Sequence, residues 1–84
     1  MEAIRGKVLG TAKKLDDFVA IVISTRTITN QELKTLCIAY DEPFKKILLL
    51  LKKGEVITVK GIQDFVKLND KMYVSLKIGG IILW

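Results

Sequence analysis

The chain has 84 residues, which is enough for one small domain and too few for a second core. Hydrophobic residues make up 50% and charged residues 27%, a globular composition that excludes a disordered chain. The net charge of +5 suits a polyanionic partner, the lack of histidine removes the commonest general base and metal ligand, and the lone Cys37 rules out an intrachain disulfide, a Cys-rich zinc site or a CxxC motif.

The first half of the chain predicts a long β-hairpin. Ile4 to Lys14 alternates loosely, with Ile4, Gly6, Val8, Gly10 and Ala12 small or apolar against polar neighbours. Its two glycines predict a strongly bent strand. Leu15-Asp16-Asp17 is the expected turn. Phe18 to Ile28 is dense in Val, Ile and Thr and predicts a second strand. Val19, Ile21 and Ile23 form its purely apolar face, which is assigned to the core. Thr29 to Glu32 is polar and predicts a loop. Leu33 to Tyr40 follows as a third strand, and period 2 assigns the larger set, Leu36, Ile38 and Tyr40, inward.

Asp41 to Lys53 is the one clear helix. Asp41 is its expected N-cap, and Pro43 falls in the first turn. Phe44, Ile47, Leu48 and Leu51 make one buried stripe. Lys52-Lys53 complement the macrodipole, and Gly54 stands where a left-handed C-terminal cap is wanted. Glu55 to Phe65 is a fourth strand with a bend or bulge at Gly61. Leu68-Asn69-Asp70-Lys71 is a hairpin turn, because Asn and Asp tolerate positive φ. Met72 to Ile78 alternates Met72, Val74, Leu76 and Ile78 against Tyr73, Ser75 and Lys77. Gly79-Gly80 is expected to interrupt it before Ile81-Ile82-Leu83-Trp84. The segment Met1 to Gly6 has no apolar signal core, and no apolar run approaches the roughly 20 residues of a membrane span. The expected location is cytoplasmic. Abundant Ile, Val, Leu and Lys point to a heat-adapted source.

The order β-β-β-α-β-β closes most economically as a barrel, which hides its edges. It resembles the OB-fold, and in particular its nucleic-acid-binding families, the tRNA-anticodon-binding-like and replication protein A-like domains. Arg5-Gly6-Lys7-Val8-Leu9-Gly10 is similar to their opening strand, and Phe18 to Ile23 to their second. Lys53-Gly54-Glu55-Val56-Ile57-Thr58-Val59-Lys60-Gly61 is the strongest match. The implied fold is an all-β, five-stranded Greek-key barrel over residues 1–84, with one helix between strands three and four. The implied function is non-catalytic binding of single-stranded DNA or RNA, by stacking on aromatics and tracking phosphates with basic side chains.

Carried onto this chain, the resemblance implies a binding face of Phe18 and Arg26 on strand two and Lys34 before strand three. Lys13 and Lys14 flank the first hairpin. Phe65, Lys67, Lys71 and Tyr73 flank the last. Arg5 and Lys7 lie on the outward side of strand one. Arg26 and Tyr73 are expected on one outward face. Phe18 and Phe65 have a second reading as barrel caps, and Lys67 and Lys71 as solvated turn residues. Asp16-Asp17 opposes phosphate. The implied alternative is a scaffold subunit. Leu49 and Leu50 fall outside the helix stripe and mark either a deeply buried helix or a protein-docking face, for a partner or a second copy. The Ile81–Trp84 tail either completes the barrel or docks elsewhere. Asp16-Asp17, Asp41-Glu42 and Asp64/Asp70 sit at expected turns or a helix start with local tasks, and no Ser-His, Cys-His or Gly-rich phosphate loop is present, so catalysis and cofactors are not expected. Cys37 reads as an inert packing thiol.

Overall fold

A computed structural model describes residues 2–83. The elements in chain order are β1 (Glu2–Val8), β2 (Lys13–Lys14), β3 (Val19–Arg26), β4 (Glu32–Ala39), α1 (Glu42–Leu50), β5 (Val56–Leu68) and β6 (Lys71–Leu83). The sheet runs β1-β5-β6-β4-β3-β2, and an additional β1–β3 pairing closes it into a barrel. β1 and β2 together are the single first strand of a five-stranded barrel, interrupted between Val8 and Lys13. Both pair with β3, as Val8↔Ile23 and Lys13↔Ala20. Five residues on one side thus advance against three on the other, and the surplus makes the bend.

The barrel interior holds Val8, Val19, Ile21, Ile23, Cys37, Ala39, Ile57, Val59, Leu76 and Ile78, and Leu48 and Leu51 plug it from the helix side. The inward face assigned to Val19, Ile21 and Ile23 is correct. The phase assigned to β4 is not. Cys37 and Ala39 point inward, while Ile38 belongs to a second cluster outside the barrel with Ala20 and Val66. Leu36 and Tyr40 pack on that outer cluster. The barrel interior takes the small pair from this strand, beside the larger Ile21, Ile23, Leu76 and Ile78 of its neighbours. The larger set of β4 stays dry because the β5–β6 hairpin lays Val66 and Leu68 over it.

Other boundaries also shift. The second strand ends at Arg26, and Ile28 stands at the tip of the Thr27–Gln31 turn, fully exposed. That turn closes through Thr27 N–H to Gln31 O and Gln31 N–H to Thr27 Oγ1, with Asn30 at φ 64°. Glu32 is already strand. The helix stops at Leu50, short of Lys53, and Asp41 caps it through position alone, with no side-chain hydrogen bond. Gly54, at φ +96°, is therefore not the helix cap. It is the third residue of a turn closed by Glu55 N–H to Lys52 O at 3.1 Å.

Asn69 and Asp70, at φ 50° and 65°, form the anticipated two-residue hairpin turn. β6 does not break at Gly79-Gly80. It runs to Leu83, pairing Val59↔Ile81 and Thr58↔Ile82, so the tail through Leu83 completes the barrel; Trp84 lies outside the described residues. The register steps from Lys60↔Gly80 to Gly61↔Ile78, which leaves Gly79 as the unpaired bulge residue beside the Gly61 corner.

Candidate nucleic-acid interface

The outer wall of the barrel is built by β3 and β4. Alternation puts Ala20, Val22, Ser24 and Arg26 on it from one strand. Their partners Ile38, Leu36, Lys34 and Glu32 come from the other. Next to Ile38 in register stands Lys77 of β6.

At one end of this wall lies a groove of about 710 Å³ between the first hairpin loop and the tip of the last hairpin. Thr11 to Phe18 supply one bank, Lys67, Leu68 and Asn69 the other, and Ala20, Val22 and Leu36 the floor. Phe18 lines the groove, and Tyr40 packs against it from outside the lining. Val19↔Ala39 is the last strand pair, so the residues just beyond it face each other. Their ring centroids are 5.5 Å apart at 60°. Lys77 Nζ lies 5.6 Å from the Tyr40 ring centroid, a cation held over an aromatic face. Lys13, Lys14 and Lys67 line the groove, and so do Asp16 and Asp17.

Of the residues singled out in the sequence, the groove gathers Lys13, Lys14, Phe18 and Lys67. Lys34 lies further along the same wall and is the register partner of Ser24, as is Lys7 from β1. Arg26 is at the far end of that wall, roughly 20 Å along the strand from Ala20. Its Nη1 donates to Asn30 O at 3.1 Å, which ties the turn. Beside it, Ser24 Oγ donates to Glu32 Oε2 at 2.7 Å and holds that carboxyl below its usual range. Tyr73 is the register partner of Val66, so it shares the hairpin face turned toward the wall, while Phe65 and its partner Val74 take the opposite face. Phe65 is thus outside the groove and 61% exposed, which removes its reading as a barrel cap. Lys71 is exposed at the hairpin turn, and Arg5 is exposed on β1 opposite Thr58.

Tyr40 and Lys77 were not among the sequence candidates. Lys77 could have been found from its alternation with Tyr73 and Ser75. Tyr40 was hidden by the inverted phase of β4. Among the described residues no group of three or more His, Cys, Asp or Glu side chains is placed to hold a metal, and no helix is long and apolar enough to cross a membrane.

No protein-family model matches the chain, and no curated protein matches it in sequence. Solved structures do match in shape. The N-terminal domain of PriB from Thermoanaerobacter tencongensis, a dimeric structure, superposes with a TM-score of 0.80 at 12% identity, over 99% of this chain and 93% of that one. A Plasmodium falciparum SSB in complex with ssDNA gives 0.72 at 19% identity, over 99% and 92%. The S. cerevisiae mitochondrial single-stranded DNA binding protein Rim1 gives 0.75 at 15% identity, over 98% and 91%. The likeness spans the whole barrel and establishes the OB-fold.

Proposed function

We propose that this chain binds single-stranded nucleic acid, without catalysing a reaction, along the outer wall of β3 and β4. The observation that carries the reading is the groove, lined by Phe18 with Lys13, Lys14 and Lys67, and backed by Tyr40 against Phe18 and Lys77 beside Tyr40. Aromatic faces accept any base, and lysines around them neutralise the backbone at either side. Lys34, Lys7 and Arg26 continue the basic line along the wall toward the Thr27–Gln31 turn. Arg5, Phe65, Lys71 and Tyr73 are secondary contacts for a longer strand. The named ssDNA ligands of the structural neighbours make DNA the first probe.

The test is a titration of labelled single-stranded and duplex oligonucleotides at several salt concentrations. Four phosphates neutralised by Lys13, Lys14, Lys67 and the nearby Lys77 should give a slope of log K against log salt near about −3 for a single strand. Duplex should bind less well, because its bases are stacked and cannot reach the rings. No binding at low salt, or duplex bound as well as single strand, would overturn the reading.

A second reading is favoured by one observation. Leu49 and Leu50 are adjacent on α1, 45% and 78% exposed. They fit a docking face for a protein partner or a second copy, and the PriB neighbour is dimeric. This function would accompany binding in the groove rather than replace it, since neither Leu49 nor Leu50 lines the groove.

A further inference from the structure

Across the first hairpin loop from the groove is a smaller cleft lined by Lys14, Leu15, Asp16, Phe18 and Val19 together with Glu42, Lys45, Lys46 and Leu49 of α1. Lys14, Leu15, Asp16 and Phe18 line both depressions, so the two adjoin across the loop. The reason is local. The helix begins two residues after Tyr40, and Tyr40 is the ring that meets Phe18 at the groove end. A strand that rounded the loop past Phe18 would meet the N-terminal half of the helix.

We infer that this cleft is a second leg of the nucleic-acid path, in which Lys45 and Lys46 of α1 neutralise phosphates while Leu15 and Leu49 pack against sugar or base. The inference rests on the groove reading and adds a direction and a length to it. Its occupant is the same single strand, because the cleft shares the loop with the groove and carries three lysines against two carboxylates. One of those carboxylates is already engaged. Lys45 Nζ is 3.7 Å from Glu42 Oε1, and Glu42 is 73% exposed, so the pair is a loose surface bridge. Such a bridge contributes little, and a phosphate can replace the carboxylate. Leu15 and Leu49 are both exposed, at 38% and 45%, and a nucleotide seated between them would cover both.

The distinguishing experiment compares two lengths of oligo(dT). The shorter, about five nucleotides, fills the groove alone; the longer, about 15, spans groove and cleft. The double variant Lys45→Gln/Lys46→Gln should bind the short strand as the wild type does. It should bind the long strand several-fold more weakly, with a salt slope shallower by about 1.4, the share of two phosphates. Lys52→Gln/Lys53→Gln removes the same charge beyond the far end of the helix and should leave both affinities unchanged. Lys13→Gln/Lys14→Gln should weaken both lengths. Equal loss in the two helix variants, or equal loss on both lengths, would mean a diffuse field and overturn the inference. An unchanged long-strand affinity in Lys45→Gln/Lys46→Gln would also overturn it, while the groove reading stood on the Lys13/Lys14 result. If Lys13→Gln/Lys14→Gln changed nothing, the groove reading would fall and this inference with it. Circular dichroism of each variant checks folding.

Discussion

Phe18 and Tyr40 touch across the end of the β3–β4 pair, with ring centroids 5.5 Å apart and planes tilted by 60°. Neither ring belongs to the barrel interior. Both pack on the outer cluster of Ala20, Ile38 and Val66, and Phe18 also lines the groove. Packing fixes the rings before any ligand arrives, which lowers the ordering cost of stacking.

Phe18→Ala and Tyr40→Ala should each weaken single-strand binding by about 1–3 kcal/mol, the range for one lost stacked base. The two losses should not add. Each substitution also removes the neighbour that orients the other ring, a coupling of about 0.5–1.5 kcal/mol. Anisotropy titrations of the two single variants and the double variant measure this. Wild-type affinity in the double variant would remove the stacking platform from the mechanism.

The barrel itself was legible because its punctuation is local. Asn69-Asp70 demands a tight hairpin, Val19, Ile21 and Ile23 alternate cleanly, and Phe44, Ile47, Leu48 and Leu51 repeat at helical spacing. What failed depended on distant chain. In β4 both faces are buried at Cys37, Ile38 and Ala39, so alternation no longer separates inside from outside. Size was the wrong criterion, because from this strand the interior takes only Cys and Ala. The cover over Ile38 comes from Val66, far along the chain, and no local pattern announces it. The groove was half legible for the same reason. Lys13, Lys14 and Phe18 follow from the first loop, whereas Tyr40 and Lys77 come beside it only once β4 and β6 lie side by side.

Gly61 is fixed by its neighbour's backbone. A β-carbon there would collide with the carbonyl group of Lys77, which cannot rotate away. Gly61→Val should therefore cost about 1–3 kcal/mol, as overpacking does, or more if the corner opens. Gly80→Ala is the contrast. Its added carbon would meet only Lys60 Cβ at 3.8 Å, an ordinary contact, and stability should change by about 0.5 kcal/mol or less. Urea melts of the two variants decide it. Equal stability of Gly61→Val and wild type would argue against a closed corner.

Cys37 faces the barrel interior, and burial pushes its thiol from 9.0 up to about 12. Between those two values the unfolded chain gives up a proton that the folded chain keeps. The contribution to stability is complete below pH 9.0 and declines as pH rises from there toward about 12. Cys37→Ala should flatten this alkaline loss relative to wild type, at the cost of a small cavity. The folded wild type should react slowly with a thiol reagent at pH 8, at a rate that follows global unfolding. Rapid modification of native protein would show that the barrel opens near Cys37.

Leu48, Leu49 and Leu50 are consecutive and should behave in opposite ways. Leu48 is wholly buried against the barrel, whereas Leu49 and Leu50 are 45% and 78% exposed. Leu48→Ala should cost about 2–5 kcal/mol, because it empties a packed site at the barrel's plugged end. Leu49→Gln/Leu50→Gln should cost the monomer much less, since nearly half of Leu49 and most of Leu50 already face water. If the pair docks a second copy, wild-type chain should sediment as a concentration-dependent dimer at micromolar levels, and the double variant should remain monomeric throughout. Because the dimer would add its own stability at high concentration, the wild-type melting temperature should then rise with protein concentration and that of the variant should not. Wild-type chain that stays monomeric and melts independently of concentration would exclude self-association through this face. A double variant that fails to fold would show instead that both leucines support the core.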